Sequence, residues 1–492
     1  MSRASKEDIA LVTKAYNFAE KAHSAQKRYS GEPYFIHLVA TAKNLAELQM
    51  DATTIAAGLL HDSIEDTGVK AEDIEKEFGS EILFLIEGVT KLGKLKYRGA
   101  QRHTESLRKL FVAMSQDIRV LIIKLTDRLH NMQTLEHVPH QKQKRIAMET
   151  LEIYAPLAYR LGMRKLNREL EDLAFPYILP EEFKKTEALL KQKSEETTEH
   201  LTKLLNQLKK ALAKEGVLNF KSDYRVKGLY SLYRKLSRKD MDIEKVYDIS
   251  AIRIVLQSVA DCYRVLGIVH SLWRPLPGRI KDYIAFPKPN GYQSIHTTIF
   301  TGDGSIVEVQ IRTEEMHREA EYGIASHLGY KEGRDVAAIG LSWIRKLIPL
   351  TPRKVSTEDT KAEFHNVPDW ITHLAEGVAE NQPDVFMKDL REDFFGHRMF
   401  VFTPKGDVVD LPVASTPVDF AYAIHSDIGN HIAAAKVNGK MVAINTPLHN
   451  GNTVEIMTKS SSHPTEKWLG YTKTALAKRH IRSVIESKGR KI

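Results

Sequence analysis

Histidine and aspartate residues in the first quarter of the chain have the types and spacing of a metal site. His37 is followed 24 positions later by the adjacent pair His61-Asp62, and Asp127 follows within the segment Leu125–Asn131. Two imidazoles and two carboxylates from separate helices can enclose one divalent transition metal and leave positions open for water and a phosphate. A single histidine near an apolar stretch is more often structural. The prediction therefore depends on the order His, His-Asp, Asp within one helical region.

Two acidic residues lie close to this predicted metal site. Glu65 and Asp66 follow Asp62 by three and four residues, so on a helix they share its face. A divalent metal lowers the pKa of a bound water and polarises a phosphoryl oxygen, and a neighbouring carboxylate can orient that water. The chemistry indicated is attack of water on a phosphoryl group.

Basic side chains crowd a second region of the chain. They are Arg225, Lys227, Arg234, Lys235, Arg279, Lys281, Lys288 and Arg312. Arginine offers a planar fork for phosphate, and lysine acts as a point charge. Two acids stand apart from these cations, because Asp248 precedes an apolar run and Glu308 lies on the polar face of an alternating run. Carboxylates on neighbouring strands could hold Mg²⁺ against a triphosphate.

The segment from Lys288 to His296 is polar and rich in turn residues. Its Tyr292 could stack on a base, and Asn290 or His296 could bond to the base edge or to phosphates. The alternative is that Tyr292 packs inside the protein and the cations face solvent. Because the chain has neither a Walker glycine loop nor a GxGxxG pattern, it supports neither a P-loop nor a dinucleotide-binding fold.

The composition of the whole chain is that of an ordinary globular protein with several domains. It has 492 residues, of which 42% are hydrophobic and 27% charged, and a net charge of +9. That length suggests about three domains, and the basic balance suggests anionic partners such as nucleotides or RNA. Without an apolar run of about 18 residues or a signal-peptide core, and with Cys262 as the single cysteine, we expect a cytoplasmic protein that has no membrane span and no disulfide.

Apolar residues at three- and four-residue spacing predict that residues 1–195 are helical almost throughout. The segments that show this spacing are Ile9–Ser24, Ile55–Leu60, Ile82–Val89, Ser106–Met114 and Lys142–Leu161. The highly charged stretch Glu181–Glu215 predicts an exposed connecting helix and a domain boundary.

Residues 196–340 predict a mixed α/β domain. Ile249–Leu256 has the pattern of a buried strand, and Thr301–Gly304 that of a hairpin turn. In the strand that follows, Val307, Val309 and Ile311 face one side, and Glu308, Gln310 and Arg312 face the other. Residues 341–395 then predict a linker with helices.

Residues 396–459 predict a small β-rich module around one helix, Pro417–His425. Its strand-sized runs are Phe400–Thr403, Val408–Leu411, Ala434–Val437, Met441–Ile444 and Val454–Met457. Residues 460–492 are basic and predict the start of a helical regulatory region.

Six stretches of the chain together resemble the RelA/SpoT homologue family, whose long members make and destroy guanosine penta- and tetraphosphate. These stretches are Ser30–Tyr34 with His37, His61–Thr67, Asp127–Met132, Tyr154–Ala158, Lys288–His296 and Val307–Thr313. The resemblance implies an all-α hydrolase domain of the HD type, a mixed α/β synthetase domain that is nucleotidyltransferase-like, and a small β-grasp module of the TGS type. Since long members continue beyond the position of Ile492, we expect a C-terminally shortened member.

For the hydrolase, the resemblance implies manganese held by His37, His61, Asp62 and Asp127. It also implies that Glu65 and Asp66 position the hydrolytic water. The residues that contact the guanine nucleotide, ppGpp or pppGpp, would be Arg28, Ser30 and Asn131.

For the synthetase, the resemblance implies magnesium at Asp248 and Glu308, with Glu308 also a base for the 3′-hydroxyl of GDP or GTP. Tyr292 would stack on guanine. Arg225 and Arg279 would flank the adenine of ATP, and Lys227, Lys235 and Lys281 would neutralise its phosphates. The remaining predicted nucleotide contacts are Ser231, Lys288, Asn290, Gln293 and His296. In this family the basic motif Arg279–Asp282 accompanies bifunctional enzymes.

The chain departs from the family pattern in a few places. It has Gly429-Asn430 where Gly-His is usual, with His431 one place later. The usual histidine is associated with reading the end of a tRNA, so contact of the TGS module with tRNA and the ribosome is left open. Leu38, Tyr159 and Arg168 replace the usual Pro, His and Trp.

The sequence favours a bifunctional enzyme over two other functions. One is a hydrolase whose synthetase site is weak or inactive, and the other is a ribosome- or RNA-binding regulator with relic enzyme domains. Because simultaneous synthesis and hydrolysis would waste ATP, we expect mutually exclusive states that are coupled through the charged helix of Glu181–Glu215.

Overall fold

The computed structural model describes residues 5–93, 117–243, 246, 249–288, 291–302, 305–328 and 398–489. These residues belong to two compact units, one comprising Met1–Lys91 and Arg119–Val336, the other Leu92–Ile118 and Ala337–Ile492. The predicted helix Ser106–Met114, the predicted linker 341–395, and the site residues Asp248 and Asn290 lie outside the described residues.

Helices form the first part of the first unit, as the apolar spacing predicts. They are α1 (Lys6–Ala22), α2 (Phe35–Glu47), α3 (Ala52–Leu60), α4 (Ser63–Asp66), α5 (Ala71–Phe78), α6 (Ser80–Gly93), α7 (Ile118–Gln133), α8 (His140–Glu149), α9 (Ala155–Arg160) and α10 (Arg164–Ile178). A 3₁₀ turn covers Leu135–His137, and a π-helical turn covers Thr150–Tyr154. Ser5 and Asp51 cap α1 and α3 by accepting hydrogen bonds from backbone N–H groups.

A single helix of 35 residues, α11 (Pro180–Lys214), joins this helical part to the α/β part. It continues through residue 195, where we predicted a domain boundary. Its second half is not the exposed connector that its charge predicted, because Leu201, Leu204, Leu208 and Leu212 are buried in the core of the α/β part. The three- and four-residue spacing of these leucines gives the helix one apolar face, and the charged residues occupy the rest.

The α/β part is built on a five-stranded sheet with the order β1-β2-β5-β4-β3. The strands are β1 (Lys221–Val226), β2 (Ser250–Leu256), β3 (Lys281–Asp282), β4 (Ile295–Phe300) and β5 (Ile306–Thr313); the helices are α12 (Leu229–Leu236), α13 (Val259–Leu272), α14 (Glu314–Tyr322) and α15 (Ala325–Leu328). Strands β2 and β5 are parallel, and the other neighbours are antiparallel. The predicted strand at Ile249–Leu256 and the β4–β5 hairpin are confirmed.

Strand β5 departs from its predicted alternation at one residue. Val307, Val309 and Ile311 are buried as expected, but Arg312 is also buried, with 1% of its side chain exposed. Its guanidinium donates to Nδ1 of His317 at 2.8 Å and pairs with Glu321 at 3.1 Å. Arg312 therefore belongs to an internal ion network on α14 and not to the polar face that was predicted for it.

The described part of the second unit is a small module of strands and helices. Its elements are β6 (Arg398–Phe402), β7 (Val408–Pro412), α16 (Pro417–Ile424), α17 (Ser426–His431), β8 (Ile432–Val437), β9 (Lys440–Val442), β10 (Val454–Thr458), α18 (Glu466–Tyr471) and α19 (Ala475–Gly489). Strands β6 and β7 form a hairpin, and the second sheet has the order β10-β8-β9. One face of α16 packs on the strands through Phe420, and Tyr422 packs toward α19.

Throughout the described ranges, the helices lack the combination of length and apolarity that a membrane span requires.

Candidate metal and nucleotide sites

The predicted metal ligands converge in the helical part of the first unit. His37 lies on α2, His61 and Asp62 lie between α3 and α4, and Asp127 lies on α7. Nε2 of His37 is 3.2 Å from Oδ1 of Asp127 and 3.8 Å from Oδ2 of Asp62, and Nε2 of His61 is 3.2 Å from Oδ2 of Asp62. One ligand atom each from His37, His61 and Asp127 lies within 4.8 Å of the others. Four residues from three separate segments of the chain thus face one point.

The hydrogen bonding of His61 leaves one of its ring nitrogens able to bind a cation. Its Nδ1 lies 2.8 Å from the carbonyl oxygen of Gly58, which only accepts, so Nδ1 carries the proton. In the neutral ring Nε2 is therefore unprotonated, and this buried atom makes no hydrogen bond within the described residues. A lone pair that is directed at carboxylates and has no donor suits a divalent metal ion, for which imidazole and carboxylate are ordinary ligands.

The electrostatics of the cluster also favour positive charge. Burial disfavours a charged imidazole, but the carboxylates of Asp62 and Asp127 outweigh it and raise the pKa of His61 to about 9. Burial likewise opposes ionisation of Asp127, yet Lys124 and His37 hold the pKa of that carboxyl well below its usual range. A divalent cation bound here would replace the proton on Nε2 of His61 as the positive charge between two ionised carboxylates.

Further polar side chains orient the ligands. The hydroxyl of Tyr34 donates to Oδ2 of Asp62 at 2.7 Å, and Nζ of Lys124 donates to Oδ2 of Asp127 at 2.7 Å. Burial beside Asp62 raises the pKa of Tyr34, so its hydroxyl keeps its proton. Contacts of this kind fix the direction of a metal ligand and tune its basicity.

Sequence reasoning gave no role to Tyr34, Lys124 or His130, although Tyr34 and His130 lie inside the motifs that carried the family resemblance. His130 accepts a hydrogen bond from Nη1 of Arg28 at 2.8 Å, and burial together with His37 lowers its pKa to about 4. The signal that was available is spacing, because His130 follows Asp127 by three residues and so shares its face of α7.

Of the other predicted hydrolase residues, Arg28, Asn131 and Asp66 interact with this cluster. Glu65 and Asp66 are exposed at the short helix α4, and burial together with Asp62 raises the pKa of Asp66. Nη2 of Arg28 donates to Oδ1 of Asn131 at 2.7 Å. Ser30 lies in the following turn, where its hydroxyl donates to Glu32 at 3.2 Å.

In the α/β part, Glu308 lies at the middle of the sheet. On β5 it lies opposite Ala251 of β2 and Thr298 of β4. Ala251 in turn lies opposite Arg225 of β1, so Glu308 and Arg225 project from the same face of the sheet. Its Oε1 accepts from Nε2 of Gln310 at 2.6 Å and lies 3.3 Å from Nδ1 of His296. Glu308 is thereby held in one orientation.

Tyr292 is packed inside the protein in this structure. It is 4% exposed, and its hydroxyl lies 2.7 Å from Nε2 of His296. The guanidinium of Arg164, at the start of α10, lies 3.9 Å from the centre of its ring, and the ammonium of Lys288 lies at 5.2 Å. A base can stack on this ring only if Arg164 or Lys288 moves.

A cavity of about 230 Å³ lies between α10 and the sheet. The predicted residues Arg225, Lys227, Ser231 and Glu308 line it on one side, and Arg164 and Arg168 line it on the other. Its volume is below the roughly 300–1,000 Å³ of ligand pockets. Four of the predicted synthetase residues thus line one small space, which α10 restricts.

The predicted synthetase residues differ in their exposure and contacts. Arg225 lies 3.8 Å from Glu321, which also pairs with Arg253 and Arg312, whereas Arg279 and Lys281 are exposed around the edge strand β3. Lys235 is partly buried near the end of α12, and Gln293 donates to the backbone of Ile284.

In the second unit, the structure gives a reason for the Gly429-Asn430 pair. A Cβ atom on Gly429 would overlap the ring of Tyr422. The hydroxyl of Tyr422 donates to Oδ1 of Asn430 at 2.9 Å. His431 is held by its own helix, since Nδ1 lies 2.9 Å from the carbonyl of Asp427.

Comparison with known families assigns three parts of the chain. Residues 15–164 match the HD domain, residues 224–335 match the region found in RelA / SpoT proteins, and residues 399–458 match the TGS domain.

Curated relatives match the chain over nearly all of its length. A GTP pyrophosphokinase of Myxococcus xanthus is 44% identical over 98% of this chain and 61% of its own length. A guanosine-3′,5′-bis(diphosphate) 3′-pyrophosphohydrolase of Aquifex aeolicus is 44% identical over 97% of this chain and 65% of its own. A bifunctional (p)ppGpp synthase/hydrolase of Escherichia coli is 40% identical over 98% and 65%. The chain spans about three-fifths to two-thirds of these relatives.

Proposed function

This chain belongs to the RelA/SpoT family, and on that premise we propose that it is a bifunctional alarmone enzyme. One reaction transfers pyrophosphate from ATP to the 3′-oxygen of GDP or GTP. The other hydrolyses (p)ppGpp to GDP or GTP and pyrophosphate. The relatives support both, because they are named for pyrophosphokinase activity, for pyrophosphohydrolase activity or for the two together.

The observation that carries the hydrolase part is the convergence of two imidazole Nε2 atoms and two carboxylates at one buried point. We infer that His37, His61, Asp62 and Asp127 hold a Mn²⁺ ion. When bound, such an ion supplies a nucleophilic water and polarises a phosphoryl oxygen. The exposed carboxylates of Glu65 and Asp66 would orient the water. Arg28, Ser30 and Asn131 would bind the guanine nucleotide.

The synthetase part is supported by the position of Glu308 among cationic side chains. Glu308 and Asp248 would hold Mg²⁺, and Glu308 would accept the proton of the 3′-hydroxyl that attacks ATP. Arg225 and Arg279 would hold the adenine. Charge neutralisation would come from Lys227, Lys235, Lys281 and Lys288, and further contacts from Ser231, Asn290, Gln293 and His296. Such chemistry depends mainly on positioning and on compensation of phosphate charge.

We also propose a cytoplasmic location, since ATP and guanine nucleotides are the substrates. Contact with tRNA or the ribosome through the TGS module is the least supported part of the proposal. Asn430 stands where the family has a histidine, and its side chain is bonded to Tyr422.

A paired nucleotide assay by anion-exchange chromatography tests the proposal. One tube contains ATP, GDP and Mg²⁺, and the other contains ppGpp and Mn²⁺. We expect ppGpp in the first tube and GDP with pyrophosphate in the second. The variant Glu308→Gln should lose only the first reaction, and His61→Ala only the second.

Other outcomes of this assay would change the conclusion. Hydrolysis without synthesis would support a hydrolase whose synthetase is weak or closed, which the contact of Arg164 with Tyr292 favours. Absence of product in both tubes, together with salt-dependent RNA binding, would support an RNA-binding regulator instead.

A further inference from the structure

Arg28, His130 and His37 form a continuous hydrogen-bonded chain that ends at the metal site. Nδ1 of His130 lies 2.8 Å from Nη1 of Arg28 and 2.8 Å from Nδ1 of His37. His130 is 8% exposed and His37 is 1% exposed. Because both rings are buried, these contacts supply the hydrogen bonds that the two Nδ1 atoms need.

The donors and acceptors in this chain fix its protons. A guanidinium has only N–H donors, so Nδ1 of His130 must accept and carries no proton. Two unprotonated ring nitrogens at 2.8 Å would repel each other, so Nδ1 of His37 carries a proton and shares the single lone pair of His130 Nδ1 with the N–H of Arg28. A neutral imidazole has one N–H. Nε2 of His37 is consequently unprotonated and faces Oδ1 of Asp127 at 3.2 Å.

The same arginine reaches a second predicted ligand through the next residue. Nη2 of Arg28 donates to Oδ1 of Asn131 at 2.7 Å, and Nδ2 of Asn131 donates to Oδ1 of Asp127 at 2.6 Å. The bond from Arg28 decides which end of the Asn131 amide faces Asp127. One guanidinium therefore orients a histidine and a carboxylate at the same site.

We propose that His130 is a positioning residue of the hydrolase site, which holds His37 in the tautomer that binds a divalent metal and is itself held by Arg28. This inference rests on the proposed hydrolase function. It gives Arg28 a second task beside the predicted nucleotide contact, so that substrate binding at Arg28 and metal binding at His37 are linked. Outer partners of metal ligands commonly change metal affinity by 10–100-fold when they are removed.

The test compares Mn²⁺ binding by the full chain and its variants in titration calorimetry. His130→Leu removes the acceptor at similar volume, whereas His130→Asn keeps an oxygen acceptor near the position of Nδ1. We expect roughly 10–100-fold weaker Mn²⁺ binding for His130→Leu and recovery to within a few-fold for His130→Asn. Saturating Mn²⁺ should restore much of the ppGpp hydrolysis of His130→Leu, because the ligands themselves remain. The matched control is His137→Leu, the same change at a histidine that is 45% exposed and paired with Glu136.

Several results would overturn the inference. It fails if His130→Leu binds Mn²⁺ like the unaltered chain while thermal unfolding shows it folded, or if His130→Asn is as weak as His130→Leu. Hydrolysis that stays lost at saturating Mn²⁺ would assign His130 to the substrate instead. The proposed function fails separately, namely if the unaltered chain binds Mn²⁺ but does not hydrolyse ppGpp.

Discussion

At the scale of single residues, the proposed metal site depends on buried charges that compensate one another. Lys124 has 14% of its side chain exposed, and its partner Asp127 has 5%. Removing one partner of a buried pair costs more than the pair itself is worth, because the remaining charge is left uncompensated in a medium of low polarity.

Lys124→Met should therefore lower the free energy of unfolding by about 3–5 kcal/mol in the presence of a chelator. Added Mn²⁺ should return part of that loss, since a bound cation compensates Asp127. Urea denaturation with and without metal measures both effects. Lys14→Met provides the control, because Lys14 pairs with Glu77 at the surface, where both side chains are nearly half exposed, and should cost less than about 1 kcal/mol. Equal losses for the two variants would contradict the prediction.

Lys288 should make stability depend on pH. Burial, with Arg164 and Lys281 nearby, lowers the pKa of its ammonium to about 7, whereas an unfolded lysine has a pKa of about 10.4. Between these values the unfolded chain binds the additional proton, so stability rises with pH by up to about 1.4 kcal/mol per unit. Contact of the ammonium with two tyrosine rings reduces that slope.

Lys288→Met removes this dependence. We expect the stability of the unaltered chain, relative to the variant, to increase in urea denaturation between pH 7 and pH 9. A difference that stays constant or falls with pH would show that Lys288 remains charged in the folded protein.

Individual residues also show how far sequence reasoning extends. The predicted metal ligands were chosen from residue type and order, and the structure brings His37, His61 and Asp127 close together. The surroundings of Tyr292 did not follow, because the ring is covered by Arg164, which lies 128 positions earlier in the chain. A contact of that range depends on how two domains pack, and local pattern contains no information about it.

At the scale of elements, the contact between the end of α14 and the turn from α9 to α10 fixes the position of Arg164. Gly323 follows α14 with φ of +57°, and the next residue, Ile324, donates its N–H to the carbonyl of Leu161 at 3.0 Å. A Cβ atom on Gly323 would lie 2.5 Å from the carbonyl carbon of Gly162 and 2.7 Å from the nitrogen of Met163. Backbone approaches backbone here without room for a side chain.

Gly323→Ala should consequently loosen this contact. We expect a larger loss of stability than for Gly216→Ala, where φ is +76° but no atom lies within 4 Å of the added Cβ. The control should lose only the cost of left-handed backbone, about 1–2 kcal/mol. Thermal unfolding compares the two variants. Equal losses of stability would mean that the turn at Gly323 accommodates the added methyl group at no extra cost.

The second half of α11 has an amphipathic pattern that its high charge obscured in the sequence. The leucines at 201, 204, 205, 208 and 212 have helical spacing, and all five are buried. Their signal was hidden by the high charge of the surrounding residues, which occupy the opposite face. Average composition over a window conceals amphipathicity, whereas the positions of the apolar residues show it.

At the scale of the whole molecule, one contact in the first unit bears on the proposal that the two activities exclude each other. The guanidinium of Arg164 covers the ring on which guanine is proposed to stack, and α10, which begins with Arg164, follows the hydrolase helices. A conformation with this contact formed should therefore synthesise slowly.

Arg164→Ala should raise the rate of ppGpp synthesis several-fold or lower KM for GDP, and it should leave the Mn²⁺ affinity of the hydrolase unchanged. The neighbouring Lys165→Ala, at a residue that is 43% exposed and paired with Glu47, should change neither. Steady-state assays of both reactions make the comparison. Loss of synthesis in Arg164→Ala would instead assign the arginine to substrate binding.

The continuous helix α11 can transmit a rotation from one end of this unit to the other. At about 1.5 Å per residue, its 35 residues form a rod of about 52 Å. Leu179, with φ of −133° and ψ of 67°, is the one residue between the end of α10 and the start of this rod. A rotation of only 2° about that joint would carry the far end through about 2 Å. Because the far end is embedded in the core of the α/β part, a small rotation near the proposed hydrolase site would displace residues near the proposed synthetase site.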